Sequence, residues 1–289
     1  MNNLLITGSK GQLGLALKSF KHNFSNDTFF FTDKSNLDIT NFEEVSRFVS
    51  ANNITVIINC AAYTNVDNAE DEPNLATKIN SDAVQNLAEI AKEKAIKIIH
   101  ISTDYVFDGT SEIPYVETSK TNPQNVYGVS KLRGEQALLK VNPDNSIIIR
   151  TSWLYSNVGN NFVKTMLKLS QEKESISVVS DQIGSPTNVY DLAKAILQII
   201  PLLKSNGVQV YHYANRSNCS WFQFAKEIVK LSKNKCVVLP ISSKKFNSKA
   251  KRPKFSLLNT AKIQKVFSLE IPTWEISLKN CLERMDITS

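Results

Sequence analysis

The residue pattern predicts an α/β fold: a doubly wound parallel sheet followed by a smaller C-terminal lobe. Three observations lead there. Apolar runs recur through the first half with almost no polar interruption, which suits strands buried on both faces. Amphipathic helical patterns alternate with those runs, and such alternation forms a parallel sheet covered on both sides through right-handed crossovers. After about residue 150 the rhythm loosens, without repeats or a low-complexity linker.

The elements follow in order. Strands are expected at 4–7 (LLIT), 29–32 (FFFT), 56–59 (VIIN), 98–102 (IIHIS) and 146–150 (SIIIR). Helical spacing covers 12–21, 41–52, about 73–94 and 125–141. Beyond these, helices are expected at 160–172, 189–203 and 220–233, with short strands near 176–180 and 208–213. A polar, basic and irregular stretch, 240–256, precedes a terminal helical pair. The division is a core over 1–150 and a lobe over 151–289 that interleaves with the core.

Composition narrows the function. The chain has 289 residues, 42% of them hydrophobic, enough for a sizeable core. The net charge of +7 is spread thinly, with one modest cluster at Lys244–Lys254 (KKFNSKAKRPK). That does not single out nucleic acid; a positive cleft for a phosphorylated small molecule explains the sign equally well. Cys60, Cys219, Cys236 and Cys281 lie far apart and form no metal-ligand pattern, so reduced thiols are expected and no metal. The start, MNNLLITGSKG, is not a secretory signal, and no apolar run approaches the length of a membrane span. The expectation is a soluble, cytoplasmic protein with neither a nucleic-acid nor a membrane partner.

The first strand runs into TGSKGQLG, where Gly8, Gly11 and Gly14 form G-x-x-G-x-x-G as a helix begins. Glycines allow the tight turn, the approach of a phosphate to the backbone, and close helix–strand packing. The helix N-terminus then faces a pyrophosphate. A Rossmann-like dinucleotide site follows. Asp33, after the second strand, stands where an acid binds the adenosine ribose hydroxyls and favours NADH. Lys34 beside it and Lys10 within the loop are cations that suit the 2′-phosphate of NADPH, so the cofactor is NADPH or NADH. Asp38 and Ile39 either flank the adenine or form the turn before the helix at 41–52.

The fourth strand ends in ISTDYVFDGT, which places Ser102, Thr103, Asp104 and Tyr105 at the carboxyl edge where such sheets bind ligands. YGVSK follows on the next helix, and i, i+4 spacing puts Tyr127 and Lys131 on one face. Phenol titrates too high to shuttle protons readily at neutrality, and an adjacent ammonium is expected to lower it. A ketone receiving hydride needs a hydrogen-bond donor to its oxygen and a proton, which Thr103 and Tyr127 provide. Gly128 and Ser130 read as mere spacing between the pair.

A cofactor loop, a hydroxyl, a tyrosine and a lysine in this order resemble an extended short-chain dehydrogenase/reductase. NCAAYTNVDNAEDEP (59–73), INSDAVQNLA (79–88), PQNVYGVSKLRGE (123–135), IIRTSWLY (148–155), NNFVKTML (160–167), DQIGSPT (181–187) and KRPKFSLLNT (251–260) narrow the match. With ISTDYVFDGT, they resemble the dTDP-4-dehydrorhamnose reductase family over nearly the whole chain. The resemblance implies reduction of a dTDP-linked 4-keto-6-deoxyhexose to dTDP-L-rhamnose, for cell-surface polysaccharide. It implies Tyr127 as proton donor to the sugar C4 oxygen, Lys131 on the nicotinamide ribose, and Thr103 on the reacting oxygen. The cofactor would lie along Gly8, Lys10, Gly11, Gln12, Leu13, Ala61, Ala62 and Tyr63. Val66, Asp104, Tyr105 and Trp153 match sugar-nucleotide contacts, and Asn160, Asn161 and Arg252 match positions near the nucleotide and its diphosphate.

One departure concerns assembly. Some relatives dimerise around Mg²⁺ held by glutamates, but the first helix (LGLALKSF) carries no acid and TNVYDLAK offers only Asp191. Monomer and homodimer both stay open. Two alternatives remain: a reductase of another deoxysugar nucleotide, and a non-catalytic regulatory subunit resembling the beta subunit of methionine adenosyltransferase.

Overall fold

The structure is a computed structural model and describes residues 1–287. Strands β1 (Asn3–Thr7), β2 (Thr28–Phe31), β3 (Val56–Asn59), β4 (Lys97–Thr103) and β5 (Ser146–Thr151) form its first half. They alternate with α1 (Gln12–Ser19), α2 (Phe42–Ala51), α3 (Pro73–Thr77), α4 (Ala83–Glu93) and α5 (Val126–Val141). The second half runs β6 (Leu154–Tyr155), α6 (Phe162–Glu172), β7 (Ser175–Val179), β8 (Ile183–Gly184), β9 (Thr187–Asn188), α7 (Val189–Ile199) and β10 (Val208–His212). It ends with β11 (Cys219–Ser220), α8 (Trp221–Leu231), β12 (Val237–Ile241), α9 (Ser243–Phe246), α10 (Ala261–Phe267) and α11 (Trp274–Glu283).

The main sheet is parallel throughout, in the order β2-β1-β3-β4-β5-β10. This is the doubly wound α/β architecture read from the sequence. Its order reverses around β1, and such a switch point opens a crevice at the carboxyl ends of the strands. Successive side chains alternate between faces. Leu4, Ile6, Ile58 and Ile99 pack with Leu13, Leu17, Leu192 and Ile196 of α1 and α7. Leu5, Ile57, Ile98 and Ile148 pack with Val45, Val49, Leu87 and Leu138 of α2, α4 and α5. Burying each of these side chains contributes roughly 1.5–3 kcal/mol over leaving it exposed.

The structure refines three expectations. The helix expected at about 73–94 is interrupted by a π-helical turn at Lys78–Asp82 between α3 and α4. That turn brings Asn80 against α5, where a Cβ on Gly134 would stand 2.0 Å from the Asn80 carbonyl oxygen. The segment near 208–213 is β10, which continues the main sheet beyond β5, and α7 covers the α1 face. The chain therefore returns to the sheet after residue 151. The stretch 240–256 holds the end of β12 and the short α9.

The rest of the second half builds a small lobe. Parallel strands β7 and β12 pair there, and Tyr155, Phe224, Trp274 and Leu278 form an aromatic-rich cluster. No helix among the described residues is long and apolar enough to cross a membrane.

Candidate active site

A cleft of about 840 Å³ opens between the sheet's carboxyl edge and the lobe. The glycine loop forms one wall. Gly8 has φ +64°, and a Cβ there would lie 2.7 Å from the Ala61 backbone. A Cβ on Gly14 would lie 2.5 Å from Ser9 Cα. The loop thus closes tightly on its neighbours. Gly11 caps α1 without a side-chain hydrogen bond, so the first helical N–H groups remain available to an anion. Gln12, Leu13 and Ala62 line the same wall. This cradle fits a dinucleotide.

At the end of β2 the two conflicting cofactor signals form a single ion pair, with Lys10 Nζ 2.8 Å from Asp33 Oδ2. The Asp33 carboxyl is held down at about 2, first by Lys10 and then by hydrogen bonds from Ser35. Asp38 and Ile39 line the cleft, and so does Lys34. The turn expected at Asp38 is present. Asp38 borders the cleft while its Oδ1 closes that turn by accepting from the Thr40 amide and hydroxyl at 3.0 and 2.9 Å.

Thr103 ends β4, and Tyr127 and Lys131 project from α5 into the cleft. Asn125 caps α5, accepting from Gly128 N at 2.8 Å, while its Nδ2 donates to the Lys251 carbonyl at 2.8 Å. The helix passes the 3-10 turn that follows β4, Asp104–Val106, so closely that a Cβ on Gly128 would stand 2.3 Å from the Tyr105 carbonyl oxygen. Only glycine permits that approach. Ser130 is likewise more than spacing: its hydroxyl donates to the Tyr127 carbonyl at 2.8 Å and accepts from Asn80 Nδ2 at 2.9 Å. Asn80 also grips the Tyr63 backbone, accepting from its N–H at 2.8 Å and donating to its carbonyl at 3.0 Å. Asn80 thereby ties the β3 loop to α5, a function that INSD did not reveal.

The electrostatics of the pair differ from the expected tuning. Burial raises the Tyr127 phenol above its ordinary value, Thr103's hydroxyl acts to lower it, and Asp104 adds to the rise. Lys131 instead donates to the Ile101 carbonyl at 2.7 Å, with its Nζ 3.4 Å from His100 Nε2. Burial lowers Lys131 itself to about 8. Desolvation, which disfavours both charged forms, outweighs the attraction that i, i+4 spacing suggested.

Val66, Asp104, Tyr105, Trp153, Asn160 and Arg252, which the sequence reading expects to meet the sugar nucleotide, line the same cleft. Asp104 is 2% exposed, and burial raises its carboxyl to about 6. Arg252 donates to Asp67 at 2.8 Å and to the Tyr105 hydroxyl at 3.3 Å. Trp153 has φ +48°, uncommon for a bulky residue, and stacks on Trp221 with centroids 3.6 Å apart. Trp221 also lines the cleft and was missed, because a helix-starting tryptophan carries no functional signature.

Two expected residues do not line it. Tyr63 turns its hydroxyl to Glu72 at 2.5 Å. Asn161 caps α6 and donates to Gln12 at 3.0 Å and to the Ser156 carbonyl at 2.8 Å, so it anchors a lobe loop on the glycine loop. Asp191 is occupied by Asn215 and Ser277, at 2.8 and 2.5 Å.

Comparison with known proteins agrees with this geometry. The family model described as RmlD substrate binding domain matches residues 1–287. A dTDP-4-dehydrorhamnose reductase of Aggregatibacter actinomycetemcomitans is 41% identical, covering 97% of this chain and 98% of that one. The crystal structure of such a reductase from Bacillus anthracis, in complex with NADP, is also 41% identical. It superposes with a TM-score of 0.93 over 98% of this chain and 99% of that one. One from Clostridium acetobutylicum gives the same TM-score and coverage at 39% identity.

Proposed function

Because the chain belongs to the RmlD substrate binding domain family, we propose that it reduces the C4 ketone of dTDP-4-dehydro-6-deoxy-L-mannose to dTDP-L-rhamnose, using NADPH or NADH. One observation carries the reading. A single cleft holds the glycine loop, the Thr103–Tyr127–Lys131 group and the sugar-side residues Asp104, Trp153 and Arg252. Gly8, Lys10, Gly11, Gln12, Leu13, Gly14, Ala61 and Ala62 would hold the dinucleotide, with Asp33, Asp38 and Ile39 toward its adenosine half. A reduced nicotinamide bound there supplies the hydride to C4.

As the carbonyl π electrons move onto the oxygen, Tyr127 gives that oxygen its phenolic proton. Thr103 donates a hydrogen bond to the same atom, stabilising the developing alkoxide. The raised Tyr127 phenol suits this direction, since it keeps the proton until a stronger base forms beside it. Lys131 holds the nicotinamide ribose. Val66, Asp104, Tyr105 and Trp153 position the sugar, and Asn160 faces the nucleotide. Asn161 acts from behind, through Gln12. Arg252 brings a fixed planar cation to the diphosphate. In domain terms, residues 1–150, extended by α7 and β10, carry the dinucleotide, and the rest of 151–287 contributes the lobe that covers the substrate.

The test supplies the keto-sugar nucleotide with NADPH and, separately, NADH, and follows the absorbance of the reduced nicotinamide. Oxidation of cofactor, with the C4 proton of the isolated product in the rhamno configuration by NMR, is expected. A product of the other C4 configuration would point to a neighbouring deoxysugar. No oxidation with either cofactor overturns the reading.

A further inference from the structure

Lys131 ends a ladder of buried polar side chains whose other members the proposed reaction leaves without a role. Thr7, Asn59, His100 and Lys131 come from β1, β3, β4 and α5, and none is more than 2% exposed. The Thr7 hydroxyl accepts from the Ala61 N–H at 3.3 Å and donates to Asn59 Oδ1 at 2.6 Å. Asn59 therefore turns its Nδ2 toward His100 Nδ1, 3.1 Å away. An amide N–H donates, so Nδ1 accepts. Burial, aided by the Lys131 charge, keeps the imidazole neutral. A neutral imidazole carries one proton, which this arrangement leaves on Nε2. Nε2 stands 3.4 Å from Lys131 Nζ.

We infer that His100 is a positioning residue for Lys131. Its tautomer, set by Asn59 and Thr7, directs Nε2–H at the lysine nitrogen and favours the amine over the ammonium. An N–H facing an amine makes a hydrogen bond, whereas one facing an ammonium is repelled. Two other titratable groups act on Lys131. Glu135, on α5, and Cys60, after β3, both favour the ammonium. Glu135 is bound by Arg150 at 2.7 Å and by the Ser102 hydroxyl at 2.5 Å, which disperses its charge. Burial pushes the Cys60 thiol up to about 12, so it is uncharged at neutrality. The ladder and burial therefore act together, and the ladder begins one residue before Gly8, so it joins the cofactor loop to the catalytic helix.

The inference rests on the proposed role of Lys131, and its consequence has a definite sign. The ammonium exists below the folded pKa of Lys131, so turnover that requires it falls as pH rises through that value. Removing the opposing N–H moves the fall to higher pH. Asparagine in place of His100 reaches only the Nδ1 position, which keeps the Asn59 link and withdraws the N–H from Lys131. Glutamine reaches the Nε2 position, where its oxygen can turn to accept from the ammonium. His100→Asn and His100→Gln should both raise the alkaline limb of kcat/KM, by roughly half a pH unit or more. Limbs that overlay the wild type in folded variants overturn the inference. A merely structural His100 would lower Tm without moving the limb.

The wild-type protein gives an independent readout. It has three histidines, His22, His100 and His212, few enough for ¹⁵N NMR assignment of each tautomer. His100 is expected with its proton on Nε2 at neutral pH, and a proton on Nδ1 overturns the inference whether or not the variants fold. If the wild type reduces no keto-sugar, the proposed function fails, while the tautomer still decides the ladder.

Discussion

The two walls of the cleft are built on different physical terms. On the sheet wall, Thr103 and Lys131 are 5% and 2% exposed, held at a strand end and on the 16-residue α5. On the lobe wall, Trp153 precedes a two-residue strand in a left-handed conformation, and Arg252 lies in an irregular segment. That segment is tied across the cleft by Arg252–Asp67 and Lys249–Asp71, pairs whose side chains are a quarter or more exposed. Exposed pairs of this kind contribute only about 0–1 kcal/mol each. Proton transfer needs dehydrated groups that do not move, whereas a wall that receives a large ligand can be held loosely. Changes on the sheet wall should therefore act on kcat, and changes on the lobe wall on substrate KM.

The strongest test of that division is Tyr127→Phe. It keeps the ring that meets Tyr105 edge-on at 5.6 Å and deletes only the hydroxyl. Loss of a positioned general acid should cut kcat by ~10²–10⁴-fold. Cofactor affinity, followed by nicotinamide fluorescence, should stay close to wild type. Turnover near the wild-type level would remove Tyr127 from the chemistry and erase the contrast between the walls.

Next come two glycines, one behind each wall. Gly134→Ala presses a methyl group toward the Asn80 carbonyl, a backbone atom fixed by the π-helical turn. A loss of about 1–3 kcal/mol, read as a lower Tm, is expected from overpacking. Gly184→Ala meets the Trp153 indole at 2.7–2.9 Å. A side chain can shift where a carbonyl cannot, so here Tm should fall less while the KM for sugar nucleotide rises. Equal losses of Tm would show that the lobe wall is as rigid as the sheet.

Arg252→Gln tests the lobe wall directly. Hydrogen bonds to a charged group contribute ~1.5–3 kcal/mol, so KM for the sugar nucleotide should rise by roughly 10–100-fold. The kcat at saturation should change by only a few-fold. A fall in kcat with unchanged KM would place Arg252 on the chemical side of the division.

The same contrast explains what could be read in the sequence. Strands buried on both faces leave continuous apolar runs, and a phosphate loop demands glycines, so the sheet wall and its glycine loop were visible in local pattern. The order Thr103, Tyr127, Lys131 followed from successive βα units. The π-helical turn left no trace, because it answers to a contact between Asn80 and Gly134, more than fifty residues apart. Trp221 and the Asn161–Gln12 tie were hidden for the same reason, since neither helix start differs from an ordinary one. Desolvation, too, is a property of the assembled site. The expectation that Lys131 would lower the Tyr127 phenol weighed a neighbour without its burial.

The smallest effect is expected where the sheet wall meets solvent. Lys10 is 75% exposed in its pair with Asp33, unlike the sealed Lys131. With NADPH, a lysine at this position offers a cation to the 2′-phosphate, while Asp33 opposes it. With NADH, Asp33 can accept from the ribose hydroxyls, and Lys10 competes for the same carboxylate. The two residues thus act oppositely on each cofactor, so a change at Lys10 should move the preference between them. Lys10→Ala should lower the ratio of kcat/KM for NADPH over NADH by roughly two- to five-fold, as exposed charge pairs are weak. Salt should shrink the difference, because screening acts on exposed charges first. A shift far beyond this range, insensitive to salt, would mean that Lys10 becomes buried when cofactor binds.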